Sequence, residues 1–131
     1  MDPILNRYAL PHLLKTCGNQ RNLTNTSLLH HHIIKKVLES DVYIGSSLID
    51  SYAKCGSLEA SIYVFERMDF RSVVSWGAMI ACYVSYGRNL CAFHLFEKMK
   101  LHDLNPDSII YVTIVKACGY LGVERGSCVH S

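Results

Sequence analysis

The chain has 131 residues, of which 50% are hydrophobic and 18% are charged, and its formal net charge is +2. This composition supplies enough apolar material for a packed core and excludes an intrinsically disordered chain. The apolar stretch at residues 109–115 is far too short to cross a bilayer, and the first thirty residues lack the hydrophobic stretch of a secretory signal.

One pattern recurs four times along the chain. An offset of 31 places Leu48 on Met79 and the string 65–68 on the string 96–99. An offset of 35 carries Leu48 back onto Leu13, and the same offset carries Met79 forward onto Ile114. Because a register held across four copies is not expected by chance, the chain is interpreted as an array of repeats.

Each copy is predicted to be a helical hairpin. In the second copy, residues 42–52 carry an apolar stripe of helical period, and Lys54, Cys55 and Gly56 end that helix. Ser57 is placed to cap a second helix with another stripe over residues 58–68. An Asn-Pro-Asp turn at 105–107 separates the third and fourth copies. Since one hairpin cannot bury its own apolar face, we expect an all-α fold, a right-handed α-solenoid of stacked helix–turn–helix hairpins.

The strings 41–59 and 73–80 resemble the pentatricopeptide repeat proteins of plants, and the resemblance covers nearly the whole chain. The alternating offsets are similar to the subclass in which long, short and ordinary repeats rotate. This resemblance implies a single array composed of a long repeat at 7–41, a short repeat at 42–72, an ordinary repeat at 73–107 and an incomplete long repeat at 108–131.

The resemblance also implies that the first helix of each copy binds single-stranded RNA, with one base per copy read by two or three side chains. The second position packs against the base and falls on Tyr8, Tyr43, Val74 and Ile109. The fifth position falls on Pro11, Ser46, Gly77 and Val112, and the last position falls on Asp41, Ser72 and Asp107. Second and fifth positions are three residues apart and therefore share a helix face.

Base preferences follow from hydrogen-bonding capacity. An ionised Asp107 only accepts, so it favours the imino N–H of guanine or uracil, and Gly77 offers no side chain to separate the two. Ser46 with Ser72 predicts a weak purine preference, as serine does at the fifth position in the family. The alternative interpretation is that Ser46 and Asp107 are ordinary helix-surface and turn residues. Pro11 and Val112 have no polar side-chain group and should contribute little to base recognition.

Several residues depart from the family pattern. Gly77 stands where asparagine is common, Ser72 stands where aspartate is common, and the segment 122–126 is one residue shorter than usual. The sequence stops within the second helix of the fourth copy. These features suggest a fragment or a truncated member of the family.

Other motifs have simpler interpretations. Three consecutive histidines, 30–32, point in different directions on a helix and cannot converge on one metal ion. His94 and Glu97 are assigned to a solvated helix face, Trp76 to the core, and Cys17, Cys55 and Cys118 to reduced packing positions. No catalytic constellation is found, including the H-x-E and C-x-x-C signature of zinc deaminases, so no enzyme activity and no cofactor or metal are expected.

Three functions stay open. The first is RNA binding in a mitochondrion or chloroplast, supporting RNA processing or editing with an editing or processing enzyme acting in trans, and without DNA or membrane as a partner. The second is a protein-binding helical solenoid, and the third is a truncated product without activity of its own. No transit peptide is visible ahead of residue 7, which is expected if the N-terminus is missing or if the product stays in the cytosol.

Overall fold

The computed structural model describes residues 9–35 and 41–123, and their side chains are described over 9–33 and 41–119. These residues form α-helices joined by short turns, with no strand in the described part of the chain. The prediction of an all-α fold is therefore confirmed. The helices are α1 (Ala9–Asn19), α2 (Leu23–Lys35), α3 (Val42–Lys54), α4 (Leu58–Arg67), α5 (Val73–Ser85), α6 (Asn89–Leu101) and α7 (Ser108–Val123).

The helices belong to two compact units, of which unit 1 ends at Arg71 and unit 2 begins at Ser72. In unit 1, α1 pairs with α2 and α3 pairs with α4, while α1 and α2 also pack against α3. The core of unit 1 contains fully buried aliphatic residues from α1, α2, α3 and α4, namely Leu10, Leu14, Ile33, Ile44, Leu48, Ile49 and Val64.

Hydroxyl groups connect the buried helix backbones of unit 1. The Ser51 hydroxyl on α3 donates to the carbonyl oxygen of Leu14 on α1 at 2.9 Å, and it lies 3.0 Å from the Thr26 hydroxyl on α2. On α4, the Ser61 hydroxyl donates to the carbonyl of Ile49 at 2.7 Å. Small residues with a hydroxyl allow close helix approach without leaving a buried polar group unpaired.

In unit 2, α5 pairs with α6, and α7 packs against both. Trp76, Met79, Ile80, Phe96 and Met99 are buried in this unit, with Ile110 and Ile114 contributed by α7. The prediction that Trp76 lies in the core is thus confirmed, and Ala92 on α6 is fully buried.

Within the described ranges, four helices end in the same way. The residue after the last turn adopts positive φ at Arg21 (55°), Gly56 (87°), Gly87 (73°) and Asp103 (61°). In each case the next backbone N–H donates to the carbonyl five residues earlier, as from Ser57 to Tyr52 at 2.9 Å. This arrangement is the Schellman motif, for which glycine is favoured because it has no Cβ to clash in the left-handed region. The predicted helix end at Gly56 and the predicted cap at Ser57, which accepts from the Ala60 N–H at 3.3 Å, are confirmed.

The cysteine and histidine assignments are mostly upheld. Cys17 is buried and Cys55 is half-buried, and neither forms a disulfide. The packing role predicted for Cys118 is wrong, because this thiol lies on the face of α7 that no described helix covers and is exposed. His94 and Glu97 are exposed on α6, as predicted. None of the described helices combines the length and apolarity needed to cross a membrane.

Candidate nucleic-acid interface

Helices α3, α5 and α7 begin at residues 42, 73 and 108, where the second, third and fourth predicted copies begin. The residue before each helix supplies a side-chain oxygen that caps it. An Oδ1 of Asp41 accepts from the N–H groups of Tyr43 and Ile44 at 3.0 and 3.3 Å. The last position of the repeat therefore holds a helix N-cap, a role typical of aspartate and serine.

The same cap recurs in unit 2. The Ser72 hydroxyl accepts from the Val74 N–H at 3.2 Å, and Asp107 Oδ1 accepts from the Ile110 N–H at 2.9 Å. Each cap restricts the rotation of its side chain. Because a carboxylate has two oxygens and the cap uses only one, Asp107 retains a second acceptor oxygen, and its side chain is exposed.

Exposed apolar side chains lie two residues after each cap. The exposed fractions of Tyr43, Val74 and Ile109 are 67%, 53% and 73%, and each lies in the first turn of its helix. Exposure of large apolar groups at one equivalent position in three helices is what a base-stacking surface requires. Tyr8, the corresponding residue of the first copy, lies outside the described residues.

The four residues at the fifth position differ in their surroundings. Val112 is 55% exposed, and Pro11 is half-buried in the first turn of α1, where a missing N–H does not weaken the helix. Ser46 is buried, and its hydroxyl has no hydrogen-bond partner among the described residues. Base reading by Ser46 stays a prediction, and it requires a rearrangement that uncovers this hydroxyl.

Gly77 faces the interior of unit 2. A Cβ placed on this glycine would lie 3.2 Å from Ile110 Cγ1 and 3.3 Å from Ile110 Cδ1, closer than ordinary contact. The backbone N–H of Ile110 is also the group that Asp107 caps. The two residues predicted to meet one base therefore both adjoin Ile110, Gly77 at its side chain and Asp107 at its backbone N–H. The close contact gives a physical reason for glycine where the family commonly has asparagine.

Basic residues extend the same helix face, and sequence reasoning missed them. Lys15 and Lys116 are exposed at equivalent places in the first and fourth copies, and Lys116 follows Ile109 by seven residues, so the two share a face of α7. On α3, the residue equivalent to Lys15 is Asp50, which forms a 3.2 Å ion pair with Lys54. The capping role of Asp41, Ser72 and Asp107 was also missed, although a polar residue directly before an apolar helical stripe is a known N-cap signal.

The histidine cluster is separate from this face. His30 is buried, and its Nδ1 lies 2.7 Å from the Tyr52 hydroxyl. No group of three potential metal ligands occurs within residues 9–35 and 41–123.

Comparison with known proteins gives a consistent result. Residues 46–73 and 74–104 match the family model described as PPR repeat. A mitochondrial pentatricopeptide repeat-containing protein of Arabidopsis thaliana is 37% identical over 122 residues, which is 92% of this chain and 14% of the relative. A putative pentatricopeptide repeat-containing protein is 42% identical over 88% of this chain and 17% of its own length. The chloroplastic pentatricopeptide repeat-containing protein CRR2 is 34% identical over 95% of this chain and 20% of its own length. Both are also from Arabidopsis thaliana. The chain thus spans about a fifth or less of these relatives.

Proposed function

We propose that this chain, which carries pentatricopeptide repeats and is homologous to pentatricopeptide repeat-containing proteins of Arabidopsis thaliana, binds single-stranded RNA through the first turns of α3, α5 and α7. One observation carries the proposal. A capping oxygen and an exposed apolar side chain stand two residues apart at 41/43, 72/74 and 107/109, each pair within one unit.

The chemistry of each pair suits an unpaired base. The apolar side chain offers a surface for the base face, and the capping residue offers a restrained group at the base edge. In the third copy, the free oxygen of Asp107 accepts an imino N–H, so this copy favours guanine or uracil. Gly77 leaves the choice between them open. Ser72, with Ser46 if its hydroxyl becomes accessible, gives a weak purine preference.

The affinity of the chain alone is low on this proposal. Each good stacking or hydrogen-bonded base contact contributes about 1–3 kcal/mol. Two or three such contacts barely exceed an association cost of about 4–15 kcal/mol. Because the relatives are five to seven times longer than the matched region, we place the useful affinity in a longer array of the same repeats.

The biological setting is proposed from the relatives and from the repeat lengths. Relatives are described as mitochondrial and as chloroplastic, which favours an organellar location for this chain. The alternation of 35 and 31 residues favours the subclass with long, short and ordinary repeats. The chain then acts as an RNA-binding scaffold, without catalysis of its own, that supports RNA processing or editing by an enzyme acting in trans.

Substitution of Tyr43 tests the proposal. Tyr43→Ala removes the exposed ring at the second position of α3. We expect fluorescence anisotropy with a random single-stranded RNA to show a loss of at least fivefold in affinity, the lower end of the stacking contribution of about 1–3 kcal/mol. Tyr63→Ala is the matched control, because Tyr63 is 50% exposed on α4 rather than on a first helix. Affinity should also fall as salt rises, since phosphate contacts release counterions.

Two results would contradict the proposal. Equal losses for Tyr43→Ala and Tyr63→Ala would show that the first helices are not the binding surface. Absence of RNA binding, even when the chain is extended by further repeats, would favour a protein-binding solenoid. A thermal melt without a cooperative transition would instead indicate a product that does not fold alone.

A further inference from the structure

Ile110 adjoins both residues through which the third copy would read a base, so an inference about it rests on the proposed function. A Cβ placed on Gly77, the fifth position, would lie 3.2 Å from Ile110 Cγ1 and 3.3 Å from Ile110 Cδ1. The backbone N–H of Ile110 donates at 2.9 Å to Oδ1 of Asp107, the last position. In the repeat register Ile110 is the third residue of the fourth copy, a position that the proposed base contacts do not use.

The side chain of Ile110 is held in place by its surroundings. It is buried, as is Ile114 one turn later, and α7 packs against both α5 and α6. Because protein interiors are close-packed, a side chain at position 77 is accommodated only if Ile110 or its helix shifts. Such a shift would also move the N–H group that Asp107 caps. The two reading positions of the third copy are therefore coupled through one buried residue.

The third residue of a copy correlates with the fifth residue of the copy before it. The pairs in the repeat register are Pro11 with Ile44, Ser46 with Ser75, and Gly77 with Ile110. Where the third residue is isoleucine, the preceding fifth position has no polar side-chain group, and where it is a small serine, the fifth position carries a hydroxyl. A polar group packed against buried isoleucine would lose water without gaining a hydrogen bond, which costs free energy.

We propose that Ile110 determines the base specificity of the third copy, because it excludes a polar side chain from the fifth position. The copy then reads its base through Asp107 alone and accepts guanine and uracil alike. Ile110 is a positioning residue in this scheme, since it acts through Gly77 and the cap of α7 rather than by touching RNA. The third position of one repeat thus limits what the repeat before it distinguishes.

A thermal melt without RNA tests the steric step. Alanine is favoured over glycine within a helix, so Gly77→Ala would raise the melting temperature if space were available. We expect it instead to lower the melting temperature of the original chain by at least about 2 °C. In an Ile110→Ala background the same substitution should raise it, because the two carbons that crowd position 77 are absent.

A second helical glycine provides the matched control. Nothing lies within 4 Å of a Cβ placed on Gly119, so Gly119→Ala should raise the melting temperature in both backgrounds. Ile110→Val keeps the test decisive if Ile110→Ala prevents folding. Valine lacks the Cδ1 of isoleucine but keeps a Cγ1, so Gly77→Ala should cost less in the Ile110→Val background than in the original chain.

Base preference tests the reading step. Fluorescence anisotropy would compare two random single-stranded RNA pools, one without uracil and one without guanine. In the original background, Gly77→Asn should weaken binding to both pools and leave the ratio of their Kd values within about twofold of its starting value. In the Ile110→Ala background, Gly77→Asn should change this ratio by about fivefold, the lower end for a good base contact, because the amide then has room beside the base edge. Ile110→Ala alone should not change the ratio.

The outcomes separate this inference from the proposed function. An equal effect of Gly77→Ala in the two backgrounds would overturn the inference. So would a fivefold change of ratio already produced by Gly77→Asn in the original chain, or an unchanged ratio in the double variant. RNA binding itself would stand in each of these cases. Failure of the original chain to bind either pool, with the thermal coupling present, would overturn the proposed function and the inference with it.

Discussion

Replacement of Asp107 by asparagine separates base reading from helix capping. Asp107 caps α7 through one oxygen, which accepts from the Ile110 N–H at 2.9 Å, and the second oxygen is available to a ligand. Asparagine is as effective an N-cap as aspartate, so the loss of stability is confined to about 0.3–1 kcal/mol from the lost charge at the helix N-terminus. The group presented to a base changes much more, because the amide N–H donates where the carboxylate accepts.

The expected change is a reversal of base preference at one position. The carboxylate favours guanine or uracil, whereas the amide donates to the ring nitrogen of adenine or cytosine. A good base contact discriminates by about 1–3 kcal/mol. Since Asp107 is exposed, we expect the lower end of that range, a change of about fivefold to tenfold in relative affinity.

The assay is equilibrium partition of a random RNA pool followed by sequencing of the bound fraction. Asp103→Asn is the control, because Asp103 is exposed, makes the same change of charge, and has a left-handed backbone that asparagine also adopts readily. Both variants should bind RNA slightly better overall through the lost negative charge. A change of preference in neither variant, or an identical change in both, would refute the assignment of Asp107 as a base-reading residue.

Three further predictions concern the fold. Gly56→Ala should destabilise unit 1 by about 1–2 kcal/mol in urea unfolding, because φ is +87° at this residue; an unchanged midpoint would contradict the Schellman assignment. Ser51→Ala should cost about 1–3 kcal/mol by the same measurement, since it removes a buried hydroxyl that donates to the Leu14 carbonyl; a neutral result would mean that this bond contributes no net stability. Burial, with a smaller contribution from nearby Cys55, raises the pKa of Cys17 above 9.0. As pH rises, the Cys17 thiol therefore loses its proton in the unfolded chain before it does so in the folded chain. The stability that this difference contributes is fully present below pH 9.0 and is lost as pH rises through the folded pKa. Between pH 8 and pH 10, the urea midpoint should therefore fall less in the Cys17→Ala variant than in the original chain. An equal fall in the two proteins would argue against a raised pKa at Cys17.

The helical elements were predictable because their signals are local. A period of 3.6 in the apolar residues and left-handed glycines at 56 and 87 are determined by backbone sterics and by the burial of one helix face. The other two turns of this kind use Arg21, which has no preference for positive φ, and Asp103, whose preference is weaker than that of glycine. Cys118 was assigned to a packing position because it falls at or near a repeat-periodic site beside the helix turn. The same register gave the wrong result there, since a repeat position is buried only if a neighbouring helix covers it.

The sequence by itself predicted the repeat and its register, and in the second copy it indicated where both helices begin. These follow from short-range preferences and from periodicity. Tertiary structure decided which of these side chains are exposed and what they contact. Ser46 is buried, Gly77 lies against Ile110, and Val115 is exposed whereas its counterpart Ile80 is buried. Equivalent positions have equivalent backbone conformations, but a side chain meets solvent, ligand or protein according to which helices pack beside it. The packing of neighbouring helices depends on residues distant in sequence, so periodicity alone does not predict it.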